Sequence, residues 1–210
     1  MAKITDIENQ KRNKERVNVY LDGEFFRGMD ALTIAQNRIK IGDEVSESEM
    51  NALIIQSDVQ IAFDKALRQI EYRYRAKNEL IRYLQNKGYC DVVIAKTIDK
   101  LAEYGYVNDE RFCAEYVRSY QNRYGVIKIK ADLKLLGIDD EIIEKSLHKI
   151  ESQVEQAEKT ALRYIKGKKN ITKIKVRAYL ARHGFTYDDI SQAVSTLDDE
   201  GYFIGEEDYD

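Results

Sequence analysis

A chain of 210 residues with 43% hydrophobic and 34% charged content can bury a core, fits one or two domains and falls outside the disordered class. Proline and tryptophan are absent and the net charge is only −3, a composition that favours long amphipathic helices kept in solution by surface charge, so the first expectation is an all-α protein. Two cysteines, Cys90 and Cys113, and two histidines exclude a disulfide framework and signal no metal site.

In chain order, the N-terminal MAKITDIENQKRNK lacks the apolar centre of a signal peptide. No later apolar run approaches the ~18 residues of a membrane span, and the chain reads as soluble and cytoplasmic. VNVYLDGEFFRGM sets Asp22-Gly23 between two runs rich in Val, Tyr and Phe, the strongest short signal for a two-residue hairpin. It predicts strands near 16–21 and 24–29. A lone hairpin is marginal in water, so it needs a third strand from residues 3–8 or the first helices to pack on. This small N-terminal β-hairpin or short antiparallel sheet occupies 1–45. Ser46 and Glu49 then stand at capping-box spacing, which predicts a helix start and an apolar stripe through Leu53, Ile54, Ile61 and Leu67.

Beyond this point the chain repeats. Gly88, Gly137 and Gly184 stand 49 and 47 residues apart, with Leu84, Leu133 and Leu180 four before them and Tyr89, Ile138 and Phe185 one after. Ile94, Ile143 and Ile190, then Leu101, Ile150 and Leu197, continue the match. These spacings draw one apolar stripe on each of two helices. The glycine between them suits a left-handed C-cap, because it has no Cβ to oppose positive φ, and a Schellman motif there pairs the residue after it with the residue four before. Asp139 and Thr186 stand where the next helix wants its N-cap; Cys90 is a poorer cap, with Asp91 as the alternative. Adding a lead-in helix to each gives units at 46–105, 106–153 and 154–203, then an acidic tail at 204–210. Each unit is too small to bury much surface alone, so the predicted fold is tandem three-helix repeats stacked into an elongated array. Gly105 and Gly201 mark matching joints, whereas the middle unit has Val154 there, which allows one longer helix.

These residues resemble the RecX family, bacterial regulators of the RecA recombinase. Arg73, Arg75, Glu79, Leu80, Leu84, Lys87, Gly88 and Tyr89 fall on the family pattern R-x-R-S-x-x-E-L-x-x-x-L-x-x-K-G-Y, with Ala76 replacing its serine, a loss of ~1 kcal/mol where a serine caps the helix. GYVNDERFC, from Gly105 to Cys113, follows the family joint G-Y-L-D-D-E-R-F-A, and Tyr116, Val117, Gly125, Ile129, Leu133, Gly137 and Ile138 match its second repeat. The resemblance implies tandem three-helix repeats, binding along the groove of the RecA filament on single-stranded DNA, and inhibition of strand exchange and ATPase in DNA repair and SOS regulation.

Charge is spread unevenly. Residues 65–88 carry seven basic and two acidic groups, 159–184 nine basic and none acidic, and 185–210 nine acidic and none basic. Solvated charge is the default reading of one basic face; three at matching repeat positions would give the array a positive side for a polyanion. The candidate RecA- or DNA-binding residues are Arg68, Arg73, Arg75, Lys77, Arg82 and Lys87 in the first unit and Arg118, Arg123, Lys128 and Lys130 in the second. Lys168, Lys169, Lys173, Lys175, Arg177 and Arg182 complete the set in the third. Such groups on phosphates give salt-dependent affinity without sequence readout. Tyr72, Tyr74, Tyr83, Tyr120 and Tyr124 can stack on unpaired bases or, in a chain of fifteen tyrosines, supply aromatic core. A RecA-independent single-stranded nucleic-acid-binding module is the alternative function. No Walker loop, H-E-x-x-H or G-x-S-x-G occurs, and His148 and His183 read as surface or helix-end residues. A monomer without enzymatic activity, cofactor or small-molecule substrate is therefore expected.

Overall fold

The computed structural model describes residues 1–150, 152–168 and 171–203. The chain forms two compact units that divide between Asn108 and Asp109. In the first, β1 (Ala2–Gln10), β2 (Asn13–Leu21) and β3 (Glu24–Asp30) are antiparallel, and the short β4 (Glu44–Val45) pairs with β1, giving the order β3-β2-β1-β4. Asp22 and Gly23, at φ 51° and 90°, form the two-residue turn whose twist matches that of the flanking strands. The hairpin gains both supports that the sequence left open. Ile4, Val17, Val19 and Met29 bury one sheet face against Ile34 of α1 (Ala31–Gln36) and against Met50 and Leu53 of α2 (Glu47–Tyr72).

The expected capping box opens α2: the Ser46 N–H donates to the Glu49 carboxylate at 2.8 Å and the Glu49 N–H to the Ser46 hydroxyl at 3.3 Å. This helix runs for 26 residues. Its second half sends Val59, Ala62, Phe63 and Ala66 into a separate core shared with α3 (Lys77–Asn86) and α4 (Asp91–Glu103). Of the stripe expected from sequence, Leu53 is buried but Ile54, Ile61 and Leu67 are only half-buried. The helical period carried on from Met50 and Leu53 brings Ala62, Phe63 and Ala66 round to the core instead.

The second unit contains α5 (Asp109–Tyr120), α6 (Val126–Leu135), α7 (Asp140–Leu147), α8 (Val154–Ile165), α9 (Lys173–Arg182) and α10 (Tyr187–Asp199). Phe112, Val117, Ile129, Leu133 and Ile143 are buried in the first trio; Ala157, Ala161, Val176, Leu180, Phe185 and Val194 form the core of the second. The periodic glycines do what their spacing predicts. Gly88, Gly137 and Gly184 have φ 81°, 78° and 78°, and the N–H groups of Tyr89, Ile138 and Phe185 donate to the carbonyls of Leu84, Leu133 and Leu180 at 3.3, 3.1 and 3.3 Å, the long bond of a Schellman motif. The same bond recurs beside Gly105 and Gly201, from Tyr106 to Leu101 and from Tyr202 to Leu197. Asp139 and Thr186 cap α7 and α10 as expected. Cys90, rather than Asp91, takes the cap position of α4 and makes no side-chain bond there.

One expectation is overturned: α7 does not continue into α8. It stops at Leu147, and Gln153 takes the cap position of α8. Gln153 is buried, and its amide is committed elsewhere: Nε2 donates to the carbonyls of Gln121 at 3.1 Å and Tyr124 at 3.3 Å, while Oε1 accepts from the Val126 N–H at 2.8 Å. Its own N–H donates to Asp189 Oδ1 at 3.0 Å. Unbroken helix would forfeit these bonds and leave buried polar groups without partners.

The two trios of this unit meet by backbone. The N–H groups of Gly125 and Ile127 donate to the carbonyls of His183 and Gly184 at 2.9 and 3.0 Å, so the carbonyl end of α9 satisfies donors at the N-terminus of α6. A Cβ on Gly125 would stand 2.0 Å from the Gly184 oxygen, and one on Gly184 would stand 2.3 Å from the Lys128 nitrogen. By contrast a Cβ on Gly88 would meet nothing within 4 Å. In urea unfolding of the intact chain, Gly88→Ala is expected to cost about 1–2 kcal/mol through its left-handed backbone alone. Gly125→Ala, which has an ordinary φ of −75°, is expected to cost more, roughly 3 kcal/mol or above, through the clash.

Candidate functional site

The basic residues singled out by sequence fall into three structural situations. In the first unit Arg73 and Arg75 converge on Glu79, the latter at 3.3 Å. Arg75 also reaches the Gln69 carbonyl at 3.4 Å, and Arg73 the Tyr74 carbonyl at 2.9 Å. Glu79 in turn accepts the N–H of Ala76 at 3.1 Å. Ala76 offers no side-chain cap, so this carboxylate is the half of the capping box that survives, and the two arginines hold it in place. Burial would raise the Glu79 carboxyl, but hydrogen bonds from Arg73 and the Ala76 N–H, with the charges of Arg73 and Arg75, outweigh it and hold the group below its ordinary value. Arg68 lies on the exposed side of α2, Lys77 and Arg82 on that of α3, and Lys87 caps α3 with its ammonium 5.6 Å from the Tyr83 ring.

A second group is matched by acid, in three cases on the helix after Gly137 or Gly184. Lys130 pairs with Glu144, Lys134 with Asp140 at 2.7 Å, and Lys173 with Asp198 at 2.7 Å. Within its own helices, Lys128 pairs with Asp132 at 3.0 Å and Arg118 with Glu115. Such solvent-exposed pairs contribute little stability and exchange readily for another anion. The third group comprises Arg82, Lys175, Arg177 and Arg182, which are exposed and carry no ion pair among the described residues. Lys169 and the acidic tail at 204–210 lie outside the described residues.

The tyrosines fall into an arrangement that sequence reading found only in part. Phe112, Tyr116, Tyr120 and Tyr124, four residues apart, have successive ring centroids at 6.0, 4.4 and 6.1 Å. From Tyr124 the series crosses the glycine junction to His183 at 5.7 Å, then to Tyr179 at 4.2 Å and Tyr164 at 4.0 Å. His183 is held by Nδ1 at 2.9 Å from the Tyr179 carbonyl. Cations lie over this ladder: Arg123 and Lys128 each 5.4 Å from the Tyr124 ring, and Lys168 3.2 Å from that of Tyr164. Burial, then the charge of Asp132, pushes the Tyr116 phenol up to about 12, so it stays a neutral donor to Asp132 at 3.4 Å. Tyr72 is 85% exposed and Tyr74 51%, and neither belongs to the ladder. The fourfold spacing from Phe112 to Tyr124 was visible in the sequence; the continuation through His183, Tyr179 and Tyr164 depends on the junction. Gln153 and Asp189, which secure that junction, carry no sequence signal. No helix among the described residues is long and apolar enough to cross a membrane.

A small antiparallel sheet followed by tandem three-helix sets with glycine-capped corners defines a helical-repeat class of protein, and comparison with known proteins narrows it to a family. The family models of the regulatory protein RecX N-terminal domain, of the first RecX three-helix domain and of the second match residues 2–46, 62–101 and 108–147. The chain is 34% identical over 208 residues to the regulatory protein RecX of Bacillus licheniformis, covering 95% of this chain and 79% of that one. It is 32% identical over 203 residues to that of Clostridium tetani, covering 93% and 94%. A crystal structure of regulatory protein RecX superposes with a TM-score of 0.71 at 26% identity, covering 93% of this chain and all of that one. RecX from Lactobacillus salivarius superposes at 0.59 with 29% identity, covering 67% and 97%. This chain belongs to the RecX family.

The state of Glu79 sets a pH dependence. A carboxyl lowered in the folded state contributes stability that is present above its ordinary value near 4.5 and is lost as pH falls through the lowered value. Glu79→Gln is therefore expected to lower stability at pH 7 by about 1 kcal/mol, with the difference from the parent shrinking as pH falls below 4.5, as read by urea unfolding across that range.

Proposed function

We propose that this chain is a non-enzymatic, cytoplasmic modulator of the RecA recombinase. It acts as a monomer that docks its tandem repeats along the RecA filament on single-stranded DNA, spans more than one protomer, and inhibits strand exchange and ATP hydrolysis. The observation that carries the reading is family membership, together with cations repeated on the helices before each periodic glycine. A regulator that works by occupancy needs contacts rather than a catalytic centre, and exposed arginines and lysines supply them. Groups such as Lys175, Arg177 and Arg182 have only water to displace, while Lys130, Lys134 and Lys173 exchange a surface carboxylate for a phosphate or an acidic protein side chain at small cost. Binding is then steep in salt and indifferent to base sequence on its DNA-facing part.

Adding the intact chain to RecA on single-stranded DNA is expected to depress ATP hydrolysis at stoichiometric ratios, and the double variant Lys175→Glu with Arg177→Glu to require roughly tenfold more protein for the same effect. An ATPase rate unmoved by excess parent protein defeats the reading.

A further inference from the structure

The ring ladder crosses from α5 through the glycine junction to α8, and its outer members stay accessible: Tyr120 is 38% exposed, and Tyr124 and Tyr164 are half-buried. Full burial would make these rings ordinary core. Here cations lie over two of them. The Lys168 ammonium sits 3.2 Å from the Tyr164 centroid and the Arg123 guanidinium 5.4 Å from that of Tyr124, and neither makes an ion pair among the described residues. Arg163, from the same helix as Tyr164, reaches across to the Asn122 carbonyl at 3.3 Å, which adds a third positive group beside the ladder. The stretch 159–184, which holds three of the six junction-side rings and cations, contains no acid at all. The nearby carboxylates are engaged, Asp132 with Lys128, Asp189 with the Gln153 N–H and Glu155 with Lys159, so a surface that combines ring faces with unpaired cations is complementary to a ligand that alternates planar groups with negative charge.

We propose that this ladder is a track for single-stranded nucleic acid, with bases stacking on Tyr120, Tyr124 and Tyr164 while Arg123, Lys168 and Arg163 move onto phosphates. The cations act as placeholders. An exposed cation–π contact is worth less than the stacking of a base on the same ring, so an arriving strand gains by taking the ring face and giving the cation a phosphate in exchange. Duplex fits poorly, because its bases are already stacked on one another and turn only their edges outward. The proposal deepens the filament reading, since it rests on the chain meeting DNA there, and it places that contact at the junction of the second and third repeats. It does not need the recombinase to be present.

The test is binding of the intact chain to a fluorescent twenty-nucleotide oligothymidine, followed by anisotropy across a salt series, beside a duplex of the same length and a polyglutamate competitor. Tyr120→Ala is expected to weaken binding at least about fivefold with the salt slope unchanged, and Tyr120→Phe to restore it. Lys168→Ala is expected to lower the salt slope by about one. Independently of any variant, photocrosslinking of the parent chain to an oligonucleotide carrying 5-iododeoxyuridine is expected to modify Tyr120, Tyr124 or Tyr164. The inference is overturned if the parent does not bind the oligonucleotide or binds duplex as tightly. It is also overturned if Tyr120→Ala binds like the parent, if adducts form only elsewhere, or if polyglutamate displaces the strand while both Tyr120 variants bind equally. RecA ATPase measured on the same proteins separates the two readings: inhibition that persists without oligonucleotide binding sinks this inference alone, and oligonucleotide binding without inhibition sinks only the filament reading.

Discussion

Everything in the second unit depends on one contact, the meeting of the carbonyl end of α9 with the N–H end of α6. Helix termini leave donors and acceptors that must find partners, and here His183 and Gly184 supply the acceptors that Gly125 and Ile127 need. Opposite ends of two helix dipoles are thereby brought together. The approach is so close that neither glycine tolerates a Cβ. Gln153 secures the same place from the side, with its amide spread over three backbone groups of the 121–126 turn and its N–H on Asp189. The two trios are therefore fastened by backbone and buried amide, which hold geometry more tightly than greasy contact alone.

That rigidity gives the surface its meaning. Tyr124 and His183 come from different trios, and only the glycine junction makes them neighbours. Each trio carries its own run of rings, and their joining into one series is a property of the pair of repeats. The ion pairs between α6 and α7 and between α9 and α10 show the complementary device, in which each basic helix is partly balanced by the acidic helix that follows its glycine. Net charge along the chain overstates what is available at the surface, and the unpaired residues are the ones free to choose a partner.

How much of this was readable in advance follows from the range of each interaction. Glycine caps depend on one backbone angle and one apolar pair within six residues, so the repeat at Gly88, Gly137 and Gly184 was legible from spacing alone, as was the Asp22-Gly23 turn. The Ser46 and Glu49 box was equally local. The break before α8 was not, because its cause lies in the bonds of Gln153 to residues some thirty positions away. Gly125 matched a family pattern, yet a glycine does not announce what comes near it. For the cations, sequence supplied the count and the rough location but not the pairing, and the R-x-R motif proved to brace Glu79 where a cap was missing. The function of the exposed cations was reached through resemblance, since charge patterns by themselves admit many partners.

The long α2 has a consequence of a different kind. Met50 and Leu53 lie in the sheet's core while Val59, Phe63 and Ala66, on the same rod, lie in the helical one, and Arg27 on β3 grips Asp58 between them at 3.1 Å. Fraying at either end strips side chains from a helix that the other end still requires. Sheet and bundle should consequently share one fate in hydrogen exchange, with amide protection on β2 and on α4 rising and falling together as a single cooperative block.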